Sequence, residues 1–467
     1  MGQRAIAFVV IARSARPGRA AAIASAARCA ALLFVIALVA FVGASPAHAT
    51  PQDLFGLGAR SPAMGMTGVS WSDNWEAVYT NPAGLARVHR RQIDIGLGGG
   101  TYQLSIDGQR FPAEAPRGLT IGFALPLPFG DILQDRLVLA AGFYTPANVL
   151  LRGQVGFAEL PQWTVVDRAQ SLAINVGLGI DLNDLVPGLH AGIAISAMAN
   201  LAGAITVELD DTHAFQSVVD AQLLASFSPI AGLALDQPDW GVGIVYRHEV
   251  RSEMNLRIQV NDLPVMLPTL TIGALVQYDP AQAAVEGYWR PDTNIRLVLN
   301  ATYRLWSFYP GPYHPTSDGS FLPPAPQFHD TISPRVAIEG TIHAGNVDLA
   351  LRGGYALELS PSPGAFFGPQ RNANGTNEEV MGALVAAPLR IIDNDRHILT
   401  AGFGLTYHFS GGEQLHLDLW GQLHAMTDRT YSITATATTP PPATGAPPGM
   451  TSSGYIVVGG WMMGLEF

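Results

Sequence analysis

Polar and apolar residues alternate along most of this chain. In residues 455–467, Tyr455, Val457, Trp461, Met463, Leu465 and Phe467 share one side with Gly459, while Gly460, Gly464 and Glu466 lie on the other. Successive side chains of a strand point to opposite faces, so this spacing predicts a strand with one aromatic and apolar face. Residues 347–358 repeat it, with Leu349, Leu351, Tyr355 and Leu357 opposing Asp348, Arg352 and Glu358. So do residues 172–181, 295–304, 399–408 and 415–424, and no convincing helical period interrupts the succession from about residue 92 onward. One crossing of a membrane β-barrel needs about 9 to 11 such residues, with aromatics at the interfaces. A half-buried edge strand of a soluble sandwich is the alternative for any single segment.

The connections supply a second criterion, because barrels alternate short turns with long external loops. Counting back from Phe467, residues 438–453 are long, 410–413 short, 360–396 long, 343–346 short and 307–330 long. The parity falters at 279–292, where residues 282–289 read either as an extra strand or as an elaborated turn. The expected fold is all-β, a transmembrane antiparallel β-barrel of about 14 strands occupying residues 92–467.

Residues 50–91 break the pattern. They lack alternation, and Gly56, Gly58, Gly65 and Gly68 accompany Phe55, Trp71, Trp75 and Tyr79. Asp73-Asn74-Trp75-Glu76 resembles a capping-box start to a short helix that Asn81-Pro82 would end. The segment is either a periplasmic tail or a plug (hatch) in the barrel lumen, and rings that need a dry surface favour the plug.

Residues 1–49 read as an export signal: Arg4, Arg13, Arg16, Arg19 and Arg28 precede the apolar run 30–43, and Ala47-His48-Ala49 is a small-x-small cleavage site. The run is shorter than the ~20 residues of a spanning helix. The single cysteine, Cys29, falls in this leader, which leaves no disulfide or thiolate metal site after it. Removing the leader's five Arg from 26 basic residues leaves 21 against 37 acids, and this balance disfavours nucleic acid as a partner. Charged residues make up 13% of the chain and glycine numbers 50, odd for a soluble protein but natural where lipid is the outer solvent.

At Gly56-Leu57-Gly58-Ala59-Arg60-Ser61-Pro62-Ala63-Met64-Gly65-Met66-Thr67-Gly68-Val69, followed by Asp73, Ala77-Val78-Tyr79 and Asn81-Pro82-Ala83-Gly84-Leu85-Ala86, the chain resembles the N-terminal hatch of the FadL/TodX family of outer-membrane transporters. Asp73-Asn74 stands where that pattern commonly has two acids. Leu351-Arg352-Gly353-Gly354-Tyr355, Ser360-Pro361-Ser362-Pro363 and residues 393–402 resemble the family's C-terminal strands and the loop between them; Leu267-Pro268-Thr269-Leu270 with Trp306-Ser307-Phe308 is a weaker match. The resemblance implies a monomeric fourteen-stranded barrel closed by a hatch. It also implies passive movement of long-chain fatty acids or aromatic hydrocarbons through an apolar pocket beside the hatch, with lateral release into the outer-membrane lipid at a kinked strand. Secretion-associated barrels share the hatch pattern, so a barrel that caps or shuttles exported proteins is the alternative. The terminal Phe467 resembles the end recognised by barrel-assembly machinery.

The candidate ligand-binding residues are Phe55, Asn81, Pro82 and Ala83 in the hatch and Arg335, Glu339, Arg352 and Glu358 on predicted lumenal faces. An Arg among the latter suits a substrate carboxylate, and pairing among the four across neighbouring strands is the alternative. Phe308, Tyr309, Tyr313, Phe321, Phe366 and Phe367 are candidates for an external entry groove or for interfacial anchoring. His408, His416 and His424 share polar faces without zinc-enzyme spacing, and Gly96-Leu97-Gly98-Gly99-Gly100 lacks the spacing of a dinucleotide fingerprint. No nucleophile elbow occurs, so no catalytic, metal or cofactor site is expected.

Overall fold

The computed structural model describes residues 51–129, 136–147, 162–167, 172–209, 215–260, 270–311, 325–364, 367–372, 374, 376–388, 391–432 and 449–467. The expected leader, the loop aromatics Tyr313, Phe321 and Phe366, the side chain of Phe367 and residues 267–269 lie outside the described residues.

Fourteen strands form a closed ring. β1 is Gln92–Ile106, β2 Arg117–Leu127, β3 Leu137–Pro146, β4 Ala173–Asp181, β5 Leu189–Leu209 and β6 Phe215–Asp236. β7 joins Trp240–Arg247 to Val250–Val260, and β8 joins Leu270–Asp279 to Gln282–Asp292. β9 (Ile295–Arg304), β10 (Thr331–Ala344), β11 (Val347–Glu358), β12 (Arg396–His408), β13 (Gln414–Met426) and β14 (Gly449–Glu466) complete the order. β14 returns to β1 from Gln92↔Glu466 to Ile106↔Ser452. Beyond that register, Arg91 and Phe467 exchange two backbone hydrogen bonds of 3.1 and 3.0 Å. Closure leaves no free edge at this seam, the condition for placing a sheet in hydrocarbon; among the described residues, 215–229 of β6 and 270–279 of β8 pair on one side only. Its outer surface is apolar: Ile95, Leu97, Ile195, Leu299, Leu351 and Leu419 are all exposed.

The ambiguous residues 282–289 belong to an interrupted strand. β8 pauses at Pro280-Ala281 and β7 at His248-Glu249, and the two pauses are adjacent, since Val250 faces Asp279 and Arg247 faces Gln282. Proline has no amide hydrogen to give the ladder, so the break falls there without adding a strand. β5 and β6 are 21 and 22 residues long. Past Met198 the edge of β5 leaves β4 and pairs in parallel with β7, from Leu201↔Met254 to Val207↔Val260.

Residues 51–88 lie against the inner faces of these strands, in short helices Pro51–Phe55, Arg60–Ala63 and Ala77–Thr80 and a 3-10 turn Pro82–Arg87. Six consecutive strands make room for them with glycine. A Cβ on Gly122 (β2) or Gly142 (β3) would meet the Trp75 ring, on Gly179 (β4) Leu85, on Gly192 (β5) Pro82, on Gly232 (β6) Asn81, and on Gly243 (β7) Val69. Gly122 faces Gly142, and Gly179, Gly192 and Gly232 face one another in a row. On the other side of the ring, β8, β9, β10, β12 and β13 reach the segment through polar side chains, and Gly354 of β11 and Gly402 of β12 make room for Gly65 and Ala63.

Candidate functional site

The buried segment is folded around one carboxylate. Glu76, 2% exposed, accepts the amides of Ala59 (2.8 Å), Arg60 (3.0 Å) and Ser61 (2.9 Å). Three otherwise unpaired donors at the start of the Arg60–Ala63 helix are satisfied this way. Gly58 makes the approach possible: its φ is +80°, and a Cβ would stand 2.1 Å from Glu76 Oε1. The sequence pattern places Glu76 in a local capping box; instead its side chain leaves its own helix and Asn74 Oδ1 accepts the Glu76 amide.

The four predicted lumenal ions form two separate networks. Glu339 receives Arg60 through two bonds (2.9 and 2.7 Å), Arg296 (2.7 Å) and Arg352 (2.8 Å), and Arg352 reaches on to Asp418. Arg60 also contacts Asp73 at 2.5 Å and lies over the Trp71 ring. Burial pulls the Asp73 carboxyl upward, but Arg60 and Arg296 outweigh it and hold the group below the usual range. In the second network Glu358 binds Arg335 (2.7 Å) and Arg304, while Arg335 donates to Met66 O (2.8 Å) and Arg304 lies 3.5 Å from Asp53. Thus Glu339 pairs with Arg352 and Glu358 with Arg335, and both pairs also grip the buried segment. Glu286 of β8 does the same, accepting the amides of Gly68 and Ser70. Thr400 binds Ala63 O, and Gln422 binds Phe55 O and Pro62 O.

Asn81, Pro82 and Ala83 sit away from these ions. Asn81 donates to Val69 O (2.6 Å) and Leu233 O (3.1 Å) and accepts the Ala83 amide (3.1 Å), so it both caps the following turn and ties it to β6. Phe55 packs edge-on against His424, and His424 contacts Gln422. His408 meets Asp348 and His416 meets Asp94, and no metal-holding group of His, Cys, Asp and Glu exists among the described residues. Of the loop aromatics, Phe308 is exposed, while Tyr309 stacks on Phe328 beside Trp306 and Tyr278. The 393–396 loop is a clasp: Asn394 binds Thr427 O and Ser452 O, and Tyr431 bonds both backbone groups of Asp393.

One cavity of about 50 Å³ lies between the buried segment and the wall made by β1, β2, β3, β13 and β14. Phe55, Leu57 and Gln52 line its inner side; Leu97 and Trp461, which belong to the outer apolar face, line its outer side. The wall between is thinned by glycine: Gly98 faces Gly118 and Gly460, and Gly99 faces Gly459. Phe55 is the one predicted site residue that reaches this cavity. Arg335 lines a separate polar chamber of about 20 Å³, and Glu358 borders another. Gln52, Tyr144 and Trp420 were not singled out by the sequence pattern; the available signal was the run of glycines at 96–100 inside a strand, which marks a close approach or a gap.

No family model matches the chain. An uncharacterized Chlorobium limicola protein, from the 5' region of the phosphoenolpyruvate carboxykinase gene, is 36% identical over 123 residues, which is 25% of this chain and 60% of that protein. The match therefore spans less than two thirds of the relative. Among solved structures, the Pseudomonas putida toluene transporter TodX gives a TM-score of 0.47 at 12% identity, over 89% of this chain and 99% of that one. A Pseudomonas aeruginosa FadL homologue gives 0.52 at 12% identity, over 90% of this chain and 99% of that one. This chain has the fold of that FadL homologue, a closed fourteen-stranded β-barrel.

Proposed function

We propose that the protein is a monomeric channel of a bacterial outer membrane that takes up hydrophobic small molecules passively, with residues 50–91 as a hatch. The cavity beside Phe55 is the observation that carries this reading, because it lies between the hatch and the wall positions Leu97 and Trp461, whose side chains are on the outer face. A molecule there is separated from the bilayer by a band of glycines rather than by side chains. Each methylene that leaves water gains about 0.8 kcal/mol, so an apolar solute needs no energy source to enter, and its release into lipid needs no aqueous pore. The hatch contacts on both halves of the ring block a water-filled route. The interruption in β7 and β8 is six to seven strands away from β1 around the ring, so this reading places lateral release at the glycine band instead of at that kink.

The test is binding of radiolabelled dodecane and toluene to the purified protein, with uptake by cells that lack the gene. A Gly98→Leu variant puts a side chain into the cavity, where a Cβ already approaches the Trp420 ring to 3.3 Å. It is expected to assemble and to lose most of the binding. An absence of binding by the native protein, with normal uptake in the deletion strain, refutes the proposal. Co-purification of a stable protein partner with a ligand-free lumen favours the secretion-associated reading.

A further inference from the structure

We infer that the cavity beside the hatch selects uncharged molecules, an apolar body carrying one hydroxyl or carbonyl group, and excludes carboxylates. The inference rests on the uptake reading and narrows its substrate class. Its centre is Gln52, which is 2% exposed and whose side-chain nitrogen and oxygen both lack a hydrogen-bond partner. A buried primary amide with two unused donors and two unused acceptor sites is rare, because each unmade bond costs free energy. Gln52 lines the cavity, so a ligand hydroxyl or carbonyl placed there supplies the missing partner. Thr120 and Tyr144 bring two more hydrogen-bonding groups to the same lining, and they too are neutral.

Among the described residues, no Arg, Asp, Glu or His lines this cavity. The ionisable group against its wall is an acid: a Cβ on Gly58 would touch Glu76 Oε1. Asp94, two positions before Gly96 on β1, is held by the Trp75 indole (2.5 Å) and by His416 (3.2 Å). Arg117 approaches Gly99 from β2 but is itself exposed. On the other side of Gln52, the small chamber holds Arg247 and Arg335, whose terminal nitrogens already serve Tyr79 O, Gln282, Met66 O and Glu358. A carboxylate entering the cavity would lose its water and meet dipoles and an acid instead of a cation. The cavity, about 50 Å³, is partly open and roughly a third of the ~150 Å³ apolar cavity that accepts benzene, so it takes the polar end of an alkyl chain while the rest extends beyond it.

The experiment measures decane, 1-decanol and decanoate binding to the full chain in lipid nanodiscs. At neutral pH decanol is expected to bind roughly 100-fold or more tightly than decanoate, the penalty of an unpaired buried charge. At about pH 4, where an ordinary carboxyl takes up its proton, decanoic acid should approach decanol. Decanol itself should be unchanged, which controls for Glu76, Asp94 and His416. Gln52→Leu should weaken decanol about tenfold relative to decane, the effect of one lost hydrogen bond. Equal binding of decanol and decanoate at neutral pH overturns the inference, and this comparison needs no variant. A Gln52→Leu protein that binds decanol undiminished also overturns it, since a water in the small chamber would then satisfy the amide. If none of the three ligands binds the native protein, the uptake reading itself fails.

Discussion

Trp75 occupies the space in which a side chain on Gly122 would stand. A Cβ built on that glycine lies 2.0 Å from Trp75 Cδ2, and neither the ring, fully buried, nor the strand backbone has room to retreat. Glycine inside a strand ordinarily costs about 0.5–1 kcal/mol relative to alanine, so its presence here marks a packing requirement.

Gly122→Val is therefore expected to dislodge the hatch while the barrel still closes, at an overpacking cost of about 1–3 kcal/mol. The chain's one cysteine, Cys29, precedes the described residues, so a Ser72→Cys reporter, placed at a fully buried hatch position, reads docking directly. Thiol labelling should accelerate at least about fivefold in the Gly122→Val background. Gly340→Ala, where nothing lies within 4 Å of the added carbon, should leave it unchanged.

Glu76→Ala is expected to be more damaging than its size suggests. It leaves the amides of Ala59, Arg60 and Ser61 without their acceptor, at about 1–3 kcal/mol for each buried donor. Glu76→Gln keeps one acceptor oxygen and should retain a measurable part of the docking. Equal labelling of Ser72→Cys in the two variants would contradict the account given for Glu76.

Arg60 and Glu339 form a partly buried bidentate pair, and breaking a fully buried pair from one side costs about 3–5 kcal/mol, an upper bound here. A double-mutant cycle on Arg60→Met and Glu339→Gln, read from the midpoint of denaturant-induced hatch exposure, should give a coupling of about 1–3 kcal/mol. A coupling near zero would mean that Arg296 and Arg352 hold Glu339 without help from the hatch.

The Asp73 carboxyl contributes to the acid limit of docking. Its pKa is depressed in the folded protein by Arg60 and Arg296, so its stabilisation is fully present above the unfolded value of about 3.9 and is lost as pH falls through the lower folded value. Burial raises the Glu76 carboxyl, which favours docking as pH falls, so hatch labelling should not rise between neutral pH and about 4 and should rise only in stronger acid. Asp73→Asn should show the raised labelling already at neutral pH.

The architecture was legible because a strand repeats every two residues and membrane crossings need many repeats. Ile95, Leu97 and their successors mark lipid-facing positions without any knowledge of neighbours. At Pro280-Ala281 the sequence shows a break but not its meaning: a proline between two alternating runs also fits an extra strand or a turn, and only the shared inward phase of Tyr278 and Gln282 in the folded wall makes the two runs one strand. The lumenal charges were visible as candidates, but their partners were not: Arg60 is some 280 residues from Glu339, and only folding makes them one site. The cavity was the least legible feature. Its wall at Gly98 and Gly460 is defined by missing side chains, and Gln52 differs from any surface glutamine only by what surrounds it.

The seam between Arg91 and Phe467 joins the two ends of the barrel sequence. Such long-range pairing is slow, so β1 waits for its second partner until the last strand arrives. The buried segment touches glycines on β2 through β7 and polar groups on β8, β9, β10, β12 and β13, and it thereby links halves of the ring that meet directly only at that seam and at its opposite side. Docking of the segment and closure of the seam accordingly reinforce one another: each holds together strands that the other brings near.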